Sequence, residues 1–278
     1  MLTIFVNPNA GKGKALKIAA VLEISLAEKQ IPFTVYTQSW PDNLAQCSEA
    51  WVVGGDGTLN YFINKYQSVN IPLAIFKGGT GNDFAWQLYG TVSLQQQIEM
   101  VLASKGKQVD AGICNGKLFV NSVGIGFDGD VLKSMGMIRK LGQHIGYLLI
   151  VIKKIFSFRE FEFKIEANGQ GLDNKYLLVN IANARRTGGG FMISPAAKID
   201  DGHLDLVLCK PLSVLKRLLF LPKIEKGKHL FLPFIIHEKL KTVTISCDQE
   251  KYGQLDGELI GAQQFHIKIL PGFFLFKY

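Results

Sequence analysis

The fold of this chain turns on residues 50–83. They read Ala50-Trp-Val-Val-Gly-Gly-Asp-Gly-Thr-Leu-Asn60 and, further on, Lys77-Gly-Gly-Thr-Gly-Asn-Asp83. Trp51-Val52-Val53 is a short apolar run suited to a buried strand, and it ends in Gly54-Gly55-Asp56-Gly57-Thr58. Leu59, Phe62, Ile63 and Tyr66 then recur at helical spacing, with the helix expected to start at Thr58. Pro72-Leu-Ala-Ile-Phe76 is a second strand that also ends in a glycine loop. In a parallel sheet both loops fall at the carboxyl ends of their strands, the edge where α/β folds bind ligands.

Glycine admits positive φ, and without a Cβ it lets backbone N–H groups approach an anion closely. A helix beginning just after such a loop aims its N-terminal dipole at that anion. The carboxylates of Asp56 and Asp83 would repel a phosphate unless a divalent cation sat between, as Mg²⁺ does in phosphoryl-transfer sites. Either loop alone is also what plain turn chemistry produces. Two of them one strand apart point to a nucleotide phosphate site, with the amides of Gly54, Gly55, Asp56, Gly57 and Thr58 on the phosphates and the run Gly79-Thr80-Gly81-Asn82-Asp83 as the second loop.

Working outward, Leu2–Val6 is a strand, Asn7-Pro-Asn-Ala-Gly-Lys-Gly13 a loop, and residues 14–29 a helix with Leu16, Ala20, Leu22, Ile24 and Leu26. The loop lacks Walker A spacing and is not a P-loop. Asn7 there is placed to reach nucleotide, and Lys12 or Lys14 to neutralise phosphate charge; an ordinary Asn-Pro turn is the alternative. Phe33–Tyr36 is the next strand, with Thr37 at its end, and residues 41–49 are expected to form a short helix. Alternation of strand and helix up to about residue 110 predicts a doubly wound α/β domain.

After Val109-Asp110-Ala-Gly-Ile113 the period changes to two. Asn115-Gly116 and Asn168-Gly169 are hairpin signals. Residues 117–123 read as one strand and Tyr176–Ile181 as another, and Phe161/Phe163/Ile165, Val243/Ile245/Cys247 and Phe265/Ile267/Ile269 alternate with polar residues. The expected organisation is a nucleotide-binding α/β domain over 1–115 and a mainly antiparallel, β-rich domain over 116–278, with the last strand, Phe273–Phe276, able to return to the first.

The chain has 47% apolar and 19% charged residues, as a folded globular protein does. A net charge of +8 and a pI near 9.2 call for an anionic partner: nucleic acid, nucleotide phosphate or an anionic membrane surface. Cys47, Cys114, Cys209 and Cys247 have no metal or redox spacing, and three of them suit buried thiols in a reducing, cytoplasmic setting. Met1–Val6 begins directly as a strand, so no leader is expected. Apolar runs such as Tyr147–Ile152 fall far short of the ~20 residues of a spanning helix.

Gly54-Gly-Asp-Gly-Thr-Leu-Asn60 followed by Gly79-Thr-Gly-Asn-Asp-Phe-Ala85 resembles the catalytic domain shared by diacylglycerol kinases, sphingosine kinases and bacterial lipid kinases. The resemblance extends to Asn7-Pro8 with Gly11 and Gly13, to Asp200-Asp-Gly202 and to Leu255-Asp-Gly-Glu258, so it covers nearly the whole chain. Many relatives carry Glu where Tyr61 stands, a departure that touches one peripheral contact. The resemblance implies Mg²⁺ and ATP as cofactors and nucleotide contacts at Asn7, Thr37 and Thr80. It implies that Asp200 joins Asp56 and Asp83 in a carboxylate–water–Mg²⁺ network. A second, structural metal would be held by the Asp201 side chain and the backbone carbonyls of Lys198 and His203.

Phosphoryl transfer to an alcohol needs a base near the γ-phosphate. Glu258, on the tight turn Leu255–Glu258, is the candidate that chemistry and resemblance share, against the alternative of a solvated hairpin glutamate. Asp56 is the second catalytic candidate; Asp256 is a weaker candidate for the base, with positioning of the loop as its alternative role. The implied activity is ATP-dependent phosphorylation of a lipid hydroxyl, diacylglycerol foremost, in a cleft between the domains, as a step of phospholipid biosynthesis.

Residues 133–154 and 212–236 mix long apolar side chains with Lys133, Arg139, Lys140, Lys153, Lys154 and Lys216, Arg217, Lys223, Lys226, Lys228. They read either as surfaces for an anionic membrane, placing the enzyme peripherally at the inner face, or as core helices with solvated lysines. Nucleic acid is not expected, since no stacking aromatics interleave with the basic residues. Arg185-Arg-Thr-Gly-Gly-Gly-Phe191 reads as a flexible basic loop, either one that borders the cleft and permits closure or a plain surface loop, and a homodimer is admitted. Two rival readings stand beside the lipid kinase: an NAD kinase, which shares Gly-Gly-Asp-Gly, and a non-catalytic binder of nucleotide or membrane.

Overall fold

The computed structural model describes residues 1–135 and 143–278, with side chains for 1–134 and 149–278. The chain divides into two compact units, residues 1–110 with 272–278, and residues 111–271.

In the first unit the elements run β1 (Leu2–Val6), α1 (Lys14–Glu28), β2 (Phe33–Tyr36), β3 (Glu49–Gly54), α2 (Asp56–Lys65), β4 (Leu73–Lys77), α3 (Asp83–Tyr89) and α4 (Leu94–Ala103), and β5 (Lys107–Cys114) leads out. The strands pair in parallel in the order β2-β1-β3-β4, so all four carboxyl ends share one edge. The order reverses between β1 and β3, which makes that place the topological switch point of the sheet. β1, β3 and β4 are almost wholly buried, which is why their sequences are nearly continuous apolar runs. Phe5, Trp51, Phe62 and Phe76 fill the core, with Phe5 against Phe62 and Trp51 against Phe76 at 5.1 Å between ring centroids. Ser93 and Gln96 cap α4 reciprocally, the Gln96 amide donating to Ser93 Oγ at 3.2 Å.

Two expectations change here. Residues 41–48 form turns, not a helix: Pro41 lacks an N–H, and Asn43 and Leu44 turn the chain by accepting from Ala45 and Cys47. α2 starts at Asp56, not Thr58, with Gly55 extended as its N-cap, so Asp56 lies in the first turn.

The second unit contains β6 (Lys117–Phe119), β7 (Ser122–Gly126), α5 (Phe127–Met135), α6 (Gln143–Ser157), β8 (Phe161–Ala167), β9 (Gln170–Gly171), β10 (Asn174–Tyr176), β11 (Leu178–Ala182), β12 (Leu204–Cys209), α7 (Val214–Glu225), β13 (Ile235–Leu240), β14 (Thr242–Leu255) and most of β15 (Glu258–Phe276). Its main sheet runs β13-β12-β11-β7-β14-β15, and each of these pairs is antiparallel, as the period-two pattern requires. Asn115-Gly116, Asn168-Gly169 and Asp256-Gly257 all carry positive φ at both positions, the type I′ geometry that matches strand twist. The stretch 117–123 is two strands rather than one, because Val120, Asn121 and Ser122 give their amides to the Asp256 carboxylate instead of a ladder. Tyr176–Ile181 likewise splits, β10 pairing with β8 and β11 with β7 and β12.

The C-terminus returns to the first unit. Phe276 lies parallel to Leu73, and Lys277 pairs with Glu49 at 2.9 Å. Among the described residues no helix is long and apolar enough to cross a membrane.

Candidate active site

At the switch point the loops after β1, β3 and β4 interlock. Asn7 Nδ2 donates to Thr58 Oγ1 at 2.9 Å, tying the first loop to α2. The Gly78 amide donates to Gly54 O at 2.9 Å, and the Asp56 amide to Gly81 O at 3.1 Å, tying the β3 loop to the β4 loop. A Cβ on Gly79 would lie 2.3 Å from the Cα of Gly55, so this closeness is open only to glycine. The first loop passes through Gly11, Lys12 and Gly13 with φ of 58°, 54° and 88°; the left-handed run turns it onto Gly78.

Asp56 Oδ2 accepts the amide of Asp83 at 2.9 Å, and Oδ1 that of Phe84 at 3.0 Å. Asp83 is buried in the first turn of α3. Asn82 holds its own turn, accepting from Gly79 N at 3.1 Å and donating to Gly79 O at 2.8 Å. Thr80 is exposed at the loop tip, and Thr37 is half-buried directly after β2. The structure therefore collects Asn7, Thr37, Gly54, Gly55, Asp56, Gly57, Thr58, Thr80, Asn82 and Asp83 along one sheet edge. The amides of Asp56 and Thr58 are already used by Gly81 and Gly55 carbonyls. Lys12 and Lys14 are exposed. Tyr61 packs on Trp40 with ring centroids 5.4 Å apart.

In the second unit Glu258 is exposed opposite Leu255, on the tight turn closing β14 and β15. Asp256 fixes that turn. Its buried carboxylate accepts from Val120 N and Asn121 N at 2.8 Å and Ser122 N at 3.1 Å. Gln254 adds a bond from Gly257 N at 2.9 Å and donates to Ser122 Oγ at 3.1 Å, which in turn donates to Thr187 Oγ1 at 3.1 Å. The 185–191 loop is thus anchored through buried Thr187 and by its bridge to Phe191, more ordered than a run of three glycines suggests.

Asp200 is exposed. Asp201 Oδ1 accepts from His203 N at 3.1 Å, His203 Nδ1 bonds the Asp201 carbonyl oxygen at 2.8 Å, and the ammonium of Lys239 sits on Asp201 Oδ2. Lys198 is exposed nearby in sequence. Among the described residues no three His, Cys, Asp or Glu side chains cluster as a metal site would.

The second unit also holds a narrow apolar groove, partly open to solvent. Phe127, Val151, Ile155, Leu178, Phe220 and Ile224 line it, with Asp128 at its wall. Burial pushes the Asp128 carboxyl up to about 7; Asn180 lies near enough to offset part of that without a well-formed hydrogen bond. Nothing in the sequence singled out Asp128, because its environment comes from strands and helices distant in the chain. Arg217 is a further correction. It is a buried structural cation, 2.7 Å from Glu160 and donating to the carbonyls of Leu212, Ile155 and Phe158. Arg139 and Lys140 lie outside the described residues. Of the four thiols two are buried and two half-buried; burial pushes Cys114 and Cys209 up to about 12, which makes them poor nucleophiles.

The geometry is matched by comparison with known proteins. Residues 1–114 fit the family model described as the diacylglycerol kinase catalytic domain, and residues 121–275 that described as the YegS C-terminal NAD kinase beta sandwich-like domain. A diacylglycerol kinase of Mycobacterium tuberculosis H37Rv is 29% identical over 262 residues, 88% of this chain and 85% of its own. That of Bacillus subtilis strain 168 is 28% identical over 235 residues, 81% of this chain and 73% of its own. A crystal structure of a diacylglycerol kinase from Bacillus anthracis str. Sterne superposes with a TM-score of 0.74 at 25% identity, covering all of this chain and 96% of the other. An Archaeoglobus fulgidus NAD kinase solved with ATP superposes at 0.56 with 13% identity, covering 97% of this chain and 90% of that one, a likeness of fold alone. With its ordered glycine loops, its paired carboxylates and both domains matched, the chain belongs to the diacylglycerol kinase-like lipid kinases and is a kinase.

Proposed function

We propose that this enzyme transfers the γ-phosphoryl group of Mg·ATP to the hydroxyl of a diacylglycerol at the anionic inner face of a membrane. The observation that carries the reading is the pair Asp56 and Asp83, joined by a 2.9 Å hydrogen bond inside three interlocked glycine loops at the switch point. A nucleotide site needs this loop geometry, and the carboxylates make sense there only with a cation. Each oxygen of Asp56 takes one amide hydrogen, which fixes the orientation of the carboxylate at the loop edge. That suits Mg²⁺ held partly through water, with Asp83 and Asp200 as further oxygen donors. When bound, the ion neutralises charge on the transferring phosphoryl group.

The loop residues Asn7, Thr37, Thr80 and Asn82 orient the nucleotide. Glu258 accepts the proton as the lipid oxygen bonds to Pγ and the bridging bond to the β-phosphate breaks, releasing ADP. Its exposed carboxylate on a turn pinned by Asp256 can meet a substrate hydroxyl without paying for a buried charge. The apolar groove of the second unit suits an acyl chain. A metal held by Asp201 with the carbonyls of Lys198 and His203 would first displace the Lys239 ammonium. Unpaired thiols at all four cysteines suit a reducing cytoplasm.

The test is transfer of labelled γ-phosphate from Mg·ATP to a lipid panel in mixed micelles, with NAD as a soluble control and Glu258→Gln as blank. Labelled phosphatidic acid from the wild type alone is expected. Label on NAD alone, or on another lipid in preference, would overturn the acceptor proposed here.

A further inference from the structure

We propose that the outward face of α6 and α7 is the surface on which this enzyme docks to an anionic lipid bilayer. The inference rests on the reading that the acceptor is a membrane lipid, and it names the surface that meets it.

The inner faces of the two helices share one apolar cluster, in which Ile150, Val151 and Ile155 of α6 are packed by Val214, Leu218 and Leu221 of α7. The helices therefore lie side by side. Their outer faces ought to be polar, and they are not. Leu149, Ile152 and Phe156 are 60%, 36% and 60% exposed on one stripe of α6, opposite the buried one. Leu215 and Leu219 are 68% and 66% exposed on α7. At ~100° per residue, the circuit of α7 from Leu218 passes Leu215 and Leu219 and then reaches Lys216 and Lys223. The exposed apolar stripe thus lies between the neighbouring helix and a row of lysines. Single exposed leucines are ordinary; five large apolar side chains in two adjoining stripes mark a contact surface.

Charge decides what the surface meets. Over residues 149–160 and 212–234 eight basic residues stand against two acidic ones, Glu160 and Glu225. Arg217 turns inward to Glu160, and Lys154 pairs with Asp130 at 2.6 Å. The other six, Lys153, Arg159, Lys216, Lys223, Lys226 and Lys228, are exposed. A second copy of this chain would bring the same positive field and be repelled. An anionic bilayer offers negative headgroups to the lysines and hydrocarbon to the leucines and Phe156, the combination that basic amphipathic helices bind. The same two helices supply Val151, Ile155, Phe220 and Ile224 to the apolar groove, so a docked enzyme has that groove beside its lipid source.

The experiment is co-sedimentation of the full chain with vesicles of phosphatidylglycerol and phosphatidylcholine in equal parts, and with phosphatidylcholine alone. Wild type is expected to sediment with the anionic vesicles only, and less so at high salt. Leu215→Ser/Leu219→Ser should lower partitioning by roughly tenfold or more, and Lys216→Gln/Lys223→Gln by roughly tenfold. Thermal melting and turnover on a water-soluble short-chain diacylglycerol should match wild type in both variants. Equal sedimentation of variants and wild type overturns the docking surface whatever the kinase assay gives. Variants that instead convert a dimer to monomers in analytical ultracentrifugation, with vesicle binding absent, would assign the face to a second copy of the chain. Absence of turnover in every protein, with vesicle binding intact, would count against the kinase acceptor and leave this surface standing.

Discussion

Asp56 Oδ2 accepts the backbone amide of Asp83 at 2.9 Å, so one carboxylate of the candidate phosphate site orients the backbone that carries the other. With Phe84 N on its second oxygen, Asp56 also seats the first turn of α3. Asp56→Ala should therefore do two things. It should abolish turnover, and it should destabilise the first unit by about 1–3 kcal/mol through the amides left unbonded. Asp56→Asn, which keeps one acceptor, should recover part of the stability and none of the turnover. Kinase assay beside urea unfolding checks both. A fully stable Asp56→Ala would show that the latch contributes nothing.

Glu258 and Asp256 should separate cleanly although one glycine lies between them. Glu258 is exposed and Asp256 is buried with three amide hydrogens on its carboxylate. Glu258→Gln should lower turnover by roughly 10²–10⁴-fold, with ATP affinity retained and stability within about 0.5 kcal/mol of wild type. Asp256→Ala strands three amides and should cost about 3 kcal/mol or more. Titration calorimetry with ATP and denaturant melts decide. Comparable stability loss in the two variants would refute the division of roles.

Gly79 tests the interlock of the loops. A Cβ there meets the Gly55 Cα at 2.3 Å and the Gly55 nitrogen at 2.6 Å, backbone that cannot swing aside. Gly79→Ala should destabilise by about 1–3 kcal/mol and weaken ATP binding measurably. Gly116→Ala makes a useful control. Its Cβ would meet nothing within 4 Å, so only the strain of its φ of 83° is felt, and ATP binding should be unchanged.

Asp128 and His229 give the second unit opposite pH dependences. Burial raises the Asp128 carboxyl from 3.8 to about 7, so the folded state holds a proton that the unfolded state releases between those values. Stability should fall as pH rises through that window, by at most about 4 kcal/mol for a shift of this size. Asp128→Asn should abolish the slope and be more stable than wild type at pH 8. Burial lowers His229 from 6.5, so its contribution is present above that value and is lost as pH falls below it. Urea midpoints at pH 5 and pH 8 for wild type and Asp128→Asn distinguish the two. A midpoint for Asp128→Asn that stays below wild type at pH 8 would place the ionised carboxylate in a better-solvated setting.

Much of the fold was written locally. Apolar runs ending in turn residues, Asn7-Pro8 after β1 and glycines after β3 and β4, marked these strands, because a strand buried on both faces admits little polar alternation. Asx-Gly pairs marked the hairpins at Asn115, Asn168 and Asp256, because a two-residue turn needs positive φ twice. The glycine loops and their carboxylates were legible for the same reason: spacing along one segment dictates which atoms face the sheet edge.

What the sequence by itself determined is thus the fold class, the strand ends that carry the loops, and the residue types able to handle phosphate and cation. Tertiary structure alone decided how those residues are used. It made Asp56 an acceptor for the amides of α3, and Asp256 the anchor of the turn that carries Glu258. It turned Arg217 inward to Glu160 while leaving Lys216 exposed one residue away. It also placed Asp128 where burial pushes its carboxyl well above the usual carboxylate range. The physical reason is that hydrogen bonding and burial depend on neighbours brought together across many residues of chain. Propensity, periodicity and turn chemistry act over only a few.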